Sequence, residues 1–240
     1  VLYITCEMAE EKIAERIDAN LLDIPIQQLQ DPLLTKQKYR AKIDVLKKKT
    51  QGKLVIKEYP TASAHVGHFK ALLNELSLKK GFHPEIIFVD YLNICASSRY
   101  KGTIVNSYTY VKAIAEELRG LAGEYNVPIL SATQTTRSGY GNSNVEITDT
   151  SESFGLPATA DLMFALISTE DMEELNQIMV KQLKNRYNDP TVYKRFVLGI
   201  DRQKMRLYDC EQGAQDNIID AGDTPQTFTD TKKSFDGFKI

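Results

Sequence analysis

The chain has 240 residues, 42% of them apolar, enough for one large α/β domain with a substantial core or at most two small ones. Its 30 basic and 32 acidic residues leave a net charge of −2, which excludes a protein that coats nucleic acid by bulk positive charge but not one that touches it through a few loops. No run is long and apolar enough to span a membrane, no signal peptide is visible, and Cys6, Cys95 and Cys210 lack CxxC spacing. A reduced, cytoplasmic protein without a disulfide framework or zinc site is expected.

Residues 1–5 (VLYIT) read as a strand already under way. The expected reading is a domain cut at its front, the alternative a short native edge strand. An amphipathic helix follows over 10–22, with Ile13, Ile17 and Leu21 on one stripe, and a second over 36–49, with Tyr39, Ile43 and Leu46 inward and its lysines outside. Residues 53–59 (KLVIKEY) form the next predicted strand. A helix over 65–79 carries Phe69, Leu72, Leu73 and Leu76, and residues 85–92 (EIIFVDYL) return as a strand. The helix at 108–125 places Val111, Ile114, Ala115, Leu118 and Leu121 together, ahead of strands at 127–133 (VPILSAT) and 161–168 (DLMFALIS). Short apolar runs alternating with helices predict a mostly parallel sheet with helices on both faces. The closely spaced runs at 178–185, 194–201 and 205–211 fit antiparallel strands near the C-terminus. Two long polar loops, 96–107 and 135–150, are expected to be mobile and surface-lying. From 212 to 240 the composition turns polar, which predicts a disordered tail beyond a domain of residues 1–211. His65 and His68 could share a helix face, but no ligand cluster accompanies them.

In an open α/β sheet, ligands gather outside the carboxyl ends of the strands. Four ends here carry suitable polar groups. IIFVD places Asp90 after four apolar residues, where an acid can hold Mg²⁺ through its water shell, though an acid also simply ends many strands. Glu7, just past the first strand, could orient an attacking water, or could merely favour the start of the following helix. Gln134, after SAT, puts an amide where a terminal phosphate could be sensed. Lys184 and Arg186, two residues apart, can reach out together toward a phosphate, possession of which by another subunit would make them act in trans.

In this order the four stations resemble the DnaB-type replicative helicases, most closely those of T-even-type phages. ITCEMAEEKIAERI looks like the motif that carries the catalytic base, IIFVDYLNIC the Walker B strand, and SATQTTRS the motif of the phosphate-sensing glutamine. TSESFGLPATADLMFAL resembles the family's fourth motif, and KQLKNRYNDP the segment of the arginine finger and its companion lysine. The resemblance spans roughly residues 1–210. It implies a RecA-like P-loop NTPase core, with Glu7 as general base, Asp90 as Mg²⁺ ligand, Gln134 as sensor, and Arg186 with Lys184 acting on ATP held by the adjacent subunit. It also implies a hexameric ring on single-stranded DNA, with a primase and a helicase loader as further partners. Arg99, Lys101, Arg137 and Asn144, in the two long loops, are the candidates for DNA phosphate contacts. The departure is large, because no GxxxxGK[ST] occurs in these residues, and Gly52–Lys53 leads into a strand rather than a helix. The chain alone is therefore expected to be inactive. Two other functions fit less well: a RecA-like recombinase or signalling ATPase, and a non-catalytic module that docks replication partners through its tail, with Phe235 and Phe238 as anchors.

Overall fold

The computed structural model describes residues 1–29, 31, 36–100, 105–135, 146, 155–189, 192–211 and 215. In chain order these form β1 (Leu2–Thr5), α1 (Glu10–Leu22), α2 (Ile26–Leu29), α3 (Lys36–Lys49), β2 (Val55–Glu58), α4 (Val66–Lys80) and β3 (Ile87–Asp90). A 3₁₀ turn (Leu92–Ile94) leads on to α5 (Ser107–Tyr125), β4 (Ile129–Ser131) and α6 (Gly155–Thr159). Then come β5 (Leu162–Ile167), α7 (Glu170–Glu174), β6 (Gln177–Asn185), β7 (Arg195–Asp201) and β8 (Arg206–Asp209).

Four strands make a parallel sheet in the order β2-β1-β3-β4, and four make an antiparallel sheet in the order β5-β6-β7-β8. β1 lies inside its sheet between β2 and β3, with Leu2 and Ile4 fully buried, so it is not an edge strand. Residues 161–168, expected among the parallel strands, instead form β5, which pairs antiparallel with β6. Its apolar run matches a buried parallel strand in composition, yet Leu162, Phe164 and Leu166 stand exposed on alternate positions of an edge strand. Periodicity is visible in a sequence; the identity of the neighbouring strand is not.

The main core lies between one face of the parallel sheet and helices α4 and α5. Leu2, Ile4, Ile87 and Val89 supply the sheet side, and all four apolar residues assigned to the 65–79 helix and all five assigned to the 108–125 helix are buried there. The opposite face, with Tyr3 and Phe88 stacked at 5.9 Å between ring centroids, is only half covered by the described residues. On α1 the stripe shifts: Ile13 and Ala19 are buried, while Leu21 is half exposed. Ala19 has no bulk to hold a neighbour off, and it accepts the N–H of Asp23, the left-handed residue that ends the helix. Tyr39, Ile43 and Leu46 of α3 are half-buried and its cations face outward, as the pattern predicted.

The histidine pair starts α4. Gly67 N–H donates to His65 Nδ1 (3.0 Å) and His65 N–H donates to His68 Nδ1 (3.2 Å), a reciprocal cap in the place usually taken by Ser and Glu. No group of three metal-ligating side chains occurs among the described residues. No helix among them is long and apolar enough to cross a membrane. Gln215, beyond the expected domain limit at 211, is hydrogen-bonded to both the N–H and the carbonyl of Val197 on β7.

Candidate functional site

Glu7, Asp90 and Gln134 meet at the carboxyl end of the parallel sheet because β1, β3 and β4 are successive neighbours. Thr5 and Asp90 are register partners, and the Cys6 N–H donates to the Asp90 carbonyl at 2.8 Å. Glu7 follows at once, exposed, on a turn held from the other side by the Thr61 hydroxyl, which donates to the Cys6 carbonyl at 2.8 Å. The turn is therefore gripped immediately before Glu7 while the carboxylate itself is left accessible.

Asp90 accepts a hydrogen bond from the Tyr3 hydroxyl at 2.8 Å on one carboxylate oxygen. The other oxygen has no hydrogen-bond partner among the described residues. Tyr3 was not singled out from the sequence. The signal was there, since side chains two residues apart on a strand share a face, so Tyr3, Thr5 and Asp90 line one side of the β1–β3 ladder. Burial pushes the Tyr3 hydroxyl well above its usual range, and the hydrogen bond and charge of Asp90 add to the effect. Tyr3 therefore remains a fixed donor that orients the carboxylate. Gln134 donates from Nε2 to the Tyr91 hydroxyl at 3.2 Å, so the end of β4 is tied to the residue after Asp90.

The chemistry suits a hydrated divalent ion. Mg²⁺ keeps several waters and takes one or two carboxylates plus substrate phosphates rather than a full protein cage. Asp90 offers one such oxygen. Asn93 Oδ1, in the turn after β3, and Thr133 Oγ1, in the segment after β4, are buried without a hydrogen-bond partner among the described residues. Orphaned polar atoms are uncommon in folded proteins and concentrate where a polar ligand or solvent completes the site.

Lys184 and Arg186 lie elsewhere, at the end of β6. Lys184 Nζ donates to the carbonyls of Pro157 (2.6 Å) and Ala158 (3.3 Å), and Arg186 donates to the Ala158 carbonyl (3.1 Å). Asp161 bridges Arg186 (3.2 Å) and Arg119 (2.8 Å), and Arg119 also donates to the Thr159 carbonyl. Three cations thus converge on the unpaired carbonyls at the end of α6. Burial, with the charge of Arg186 second, lowers the Lys184 pKa below the ordinary lysine range. Arg119 was not singled out from the sequence, and nothing local in its helix marks it. No hydrogen bond or ion pair among the described residues joins this cluster to Glu7, Asp90 or Gln134.

The first long loop is anchored at its start, over residues 97–99, while residues 101–104 lie outside the described residues. Glu117 on α5 is buried and accepts from the Ser97 hydroxyl (2.7 Å), the Ser98 hydroxyl (2.7 Å), the Ser98 N–H (2.9 Å) and the Arg99 N–H (3.3 Å). Ser97 is itself buried. Burial opposes the charge on Glu117, but these donors outweigh it, and the pKa falls below the usual carboxylate range. A carboxylate that gathers donors from three successive residues fixes the direction in which the loop leaves. Arg99 points its guanidinium at Glu116 (2.6 Å) and remains half exposed. Lys101, Arg137 and Asn144 lie outside the described residues. In the second loop, Glu146 pairs at 2.7 Å with Lys181, a lysine buried within β6.

Glu117→Gln should lower stability by about 1.5–3 kcal/mol at neutral pH, the range for hydrogen bonds to a charged acceptor. Because the folded pKa is lowered, the contribution is fully present above the unfolded value of roughly 4.3 and fades as pH falls through the folded one. Denaturant melts of the two proteins should therefore converge only in acid.

Comparison with known proteins gives the family and the fold. The family described as DnaB-like helicase C-terminal domain matches residues 1–196. The DnaB-like replicative helicase of Enterobacteria phage T4 is 45% identical over 213 residues, 88% of this chain and 45% of that protein. A probable plasmid replicative DNA helicase of Chlamydia trachomatis is 29% identical over 137 residues, 56% of this chain and 28% of that protein. The chain spans less than half the length of either relative. Among solved structures, a DnaB-like replicative helicase described with its interactions with primase superposes with a TM-score of 0.68 at 16% identity, covering 88% of this chain and 50% of that one. A separate ATPase domain does so with a TM-score of 0.69 at 17% identity, covering 88% and 75%. These two likenesses carry the fold, a RecA-like α/β core with antiparallel strands near its C-terminus. On the match over residues 1–196 and the 45% identity to the phage protein, the chain belongs to the family of DnaB-like helicase C-terminal domains.

Proposed function

We propose that this chain is the motor domain of a replicative DNA helicase, hydrolysing ATP at the interfaces of a hexameric ring and stepping along one strand of single-stranded DNA while the other is excluded. The observation that carries the proposal is a division of labour. Glu7, Asp90 and Gln134 follow the carboxyl ends of three neighbouring strands of the parallel sheet, while Lys184 and Arg186 are gathered on α6 and Asp161 beside the antiparallel sheet, with no hydrogen bond or ion pair between the two groups among the described residues. Such a division suits a site completed by a neighbouring subunit.

At these strand ends, Asp90 would hold Mg²⁺ through water, with Tyr3 fixing its carboxylate. Glu7 would take the proton of the attacking water, and Gln134 would register the terminal phosphate through its link to Tyr91. Bound Mg²⁺ would supply neutralising charge for the phosphates. Arg186 and Lys184 would reach the nucleotide of the adjacent subunit. The loops rooted at Glu117 and Lys181 would hold the DNA, with Arg99, Lys101, Arg137 and Asn144 as phosphate contacts. A primase and a loader would be further partners. The 240 residues hold no GxxxxGK[ST], so on their own they should turn over no nucleotide.

The test is unwinding of a forked DNA by the full-length protein. ATP-dependent strand separation without strand exchange supports a helicase, and strand exchange without unwinding would make it a recombinase.

A further inference from the structure

We infer that α3 and the cleft at its C-terminal end form a second DNA-binding surface, one that takes the phosphate backbone of the strand outside the ring. This rests on the helicase function proposed above.

Charge is distributed very unevenly. Seven of the 30 basic residues and one of the 32 acidic ones lie in α3, so its 14 residues carry +6 and the rest of the chain −8. Helix electrostatics explain only part of this. Lys47, Lys48 and Lys49 sit at the C-terminal end, where the backbone dipole favours cations. Lys36 and Lys38 occupy the first turn, which has no acid and where the dipole disfavours them. Lys36 with Arg40 and Lys38 with Lys42 are like-charge neighbours one turn apart, an arrangement that weakens a helix. No buried residue of α3 offsets this. Among the described residues, Lys36, Arg40, Lys42, Lys47, Lys48 and Lys49 have no acidic partner. Positive charge is thus concentrated against local stability, which a polyanionic ligand would explain.

The cleft is a separate observation. Its volume is about 590 Å³, and Lys47, Lys53 and Lys80 line it with Thr50 and Gln51. It opens beside the start of β2 and the end of α4, at the amino ends of the parallel strands, opposite the end that carries Glu7 and Asp90. It is neither the nucleotide crevice nor a channel loop.

The occupant follows from shape and chemistry. α3 is about 21 Å long at 1.5 Å per residue, and a flexible single strand can follow it and bend into the cleft at its end. An acidic protein partner would use apolar or aromatic anchors at the centre of its contact. Val45 is the one large apolar side chain exposed on α3, and Tyr39 is turned inward onto Asp18. Of the apolar residues lining the cleft (Leu54, Val55 and Phe82) only Leu54 stands exposed, so the surface offers two scattered apolar side chains against its many cations.

The test compares the full-length protein with its Lys42→Gln, Lys47→Gln, Lys53→Gln variant. Affinity is measured against salt concentration on plain single-stranded DNA, on a fork with only the loading tail, and on a fork with both tails. The loading tail is identified beforehand on one-tailed forks. Losing three phosphate contacts should flatten the salt slope by about 2 on the two-tailed fork alone, at roughly 0.7 per contact on a single strand. Thermal melting and single-strand-stimulated ATPase should be unchanged. An unaltered slope on the two-tailed fork, or an equal fall on all three DNAs, would overturn the inference. So would an unaltered fork slope combined with lost binding of an acidic replication protein. Failure of the unsubstituted protein to bind plain single strands would instead count against the helicase function.

Discussion

Arg186→Ala in the full-length protein should reduce DNA-stimulated ATP hydrolysis by about 10³–10⁵-fold, the range for an arginine that stabilises phosphoryl-transfer charge across an interface. The guanidinium is placed for such a role without being locked. Its contacts are the Asp161 carboxylate at 3.2 Å and one α6 carbonyl, and the pair is open to solvent on both sides, at 44% and 33% exposure. An exposed ion pair of this kind is worth little, so a nucleotide phosphate can compete for the arginine. Lys184 beside it reaches the same Ala158 carbonyl, and the two cations can move as a unit. Arg186→Lys should not restore the rate, because one ammonium replaces a planar fork. Mixing provides the specific control. Arg186→Ala and Glu7→Gln subunits are each inactive alone, yet a ring containing both has interfaces with one intact Glu7 and one intact Arg186. About a quarter of interfaces are of that kind in an equal random mixture of a head-to-tail ring, and activity should return in proportion. If mixing restored nothing, Arg186 would act on its own subunit's nucleotide or not at all.

Glu7→Gln is the second substitution with a large expected effect. Removing a general base costs roughly 10²–10⁴-fold in rate while nucleotide affinity is kept. The position favours this outcome over a structural one. Glu7 is exposed and takes part in no hydrogen bond or ion pair among the described residues, whereas the backbone before it is held through Cys6 to both Asp90 and Thr61. The amide should therefore fold as the acid does. Rapid-quench measurement should show a slow chemical step with normal nucleotide binding. Weakened binding with unchanged chemistry would assign Glu7 to nucleotide positioning instead.

Much of the fold was legible because its core obeys local periodicities. Phe69, Leu72, Leu73 and Leu76 on α4, and the five apolar residues of α5, are buried as their spacing requires. The position of the candidate stations, though not their role, was legible for a related reason. Glu7, Asp90 and Gln134 each follow a short apolar strand, and a parallel sheet delivers such ends to one edge. What escaped was non-local. DLMFALIS does not declare that its only described neighbour is antiparallel. Arg119 and Asp161, 42 residues apart, find each other only through the packing of α5 on the segment around α6. Glu117 falls on the inward stripe of α5 and is in place only because residues 97–99 come back to meet it. The side-chain alternation that links Tyr3 to Asp90 becomes informative once β1 and β3 are known to be neighbours in register.

The most direct test of the account is single-stranded-DNA-stimulated ATP hydrolysis by the full-length protein, by its Glu7→Gln variant and by these 240 residues alone. DNA-stimulated turnover in the first only, with the variant folded, assembled and still binding nucleotide, is the expected result. A full-length ring that binds DNA but hydrolyses nothing, or a Glu7→Gln ring as fast as the unsubstituted one, would contradict the catalytic assignments on which the proposed function stands.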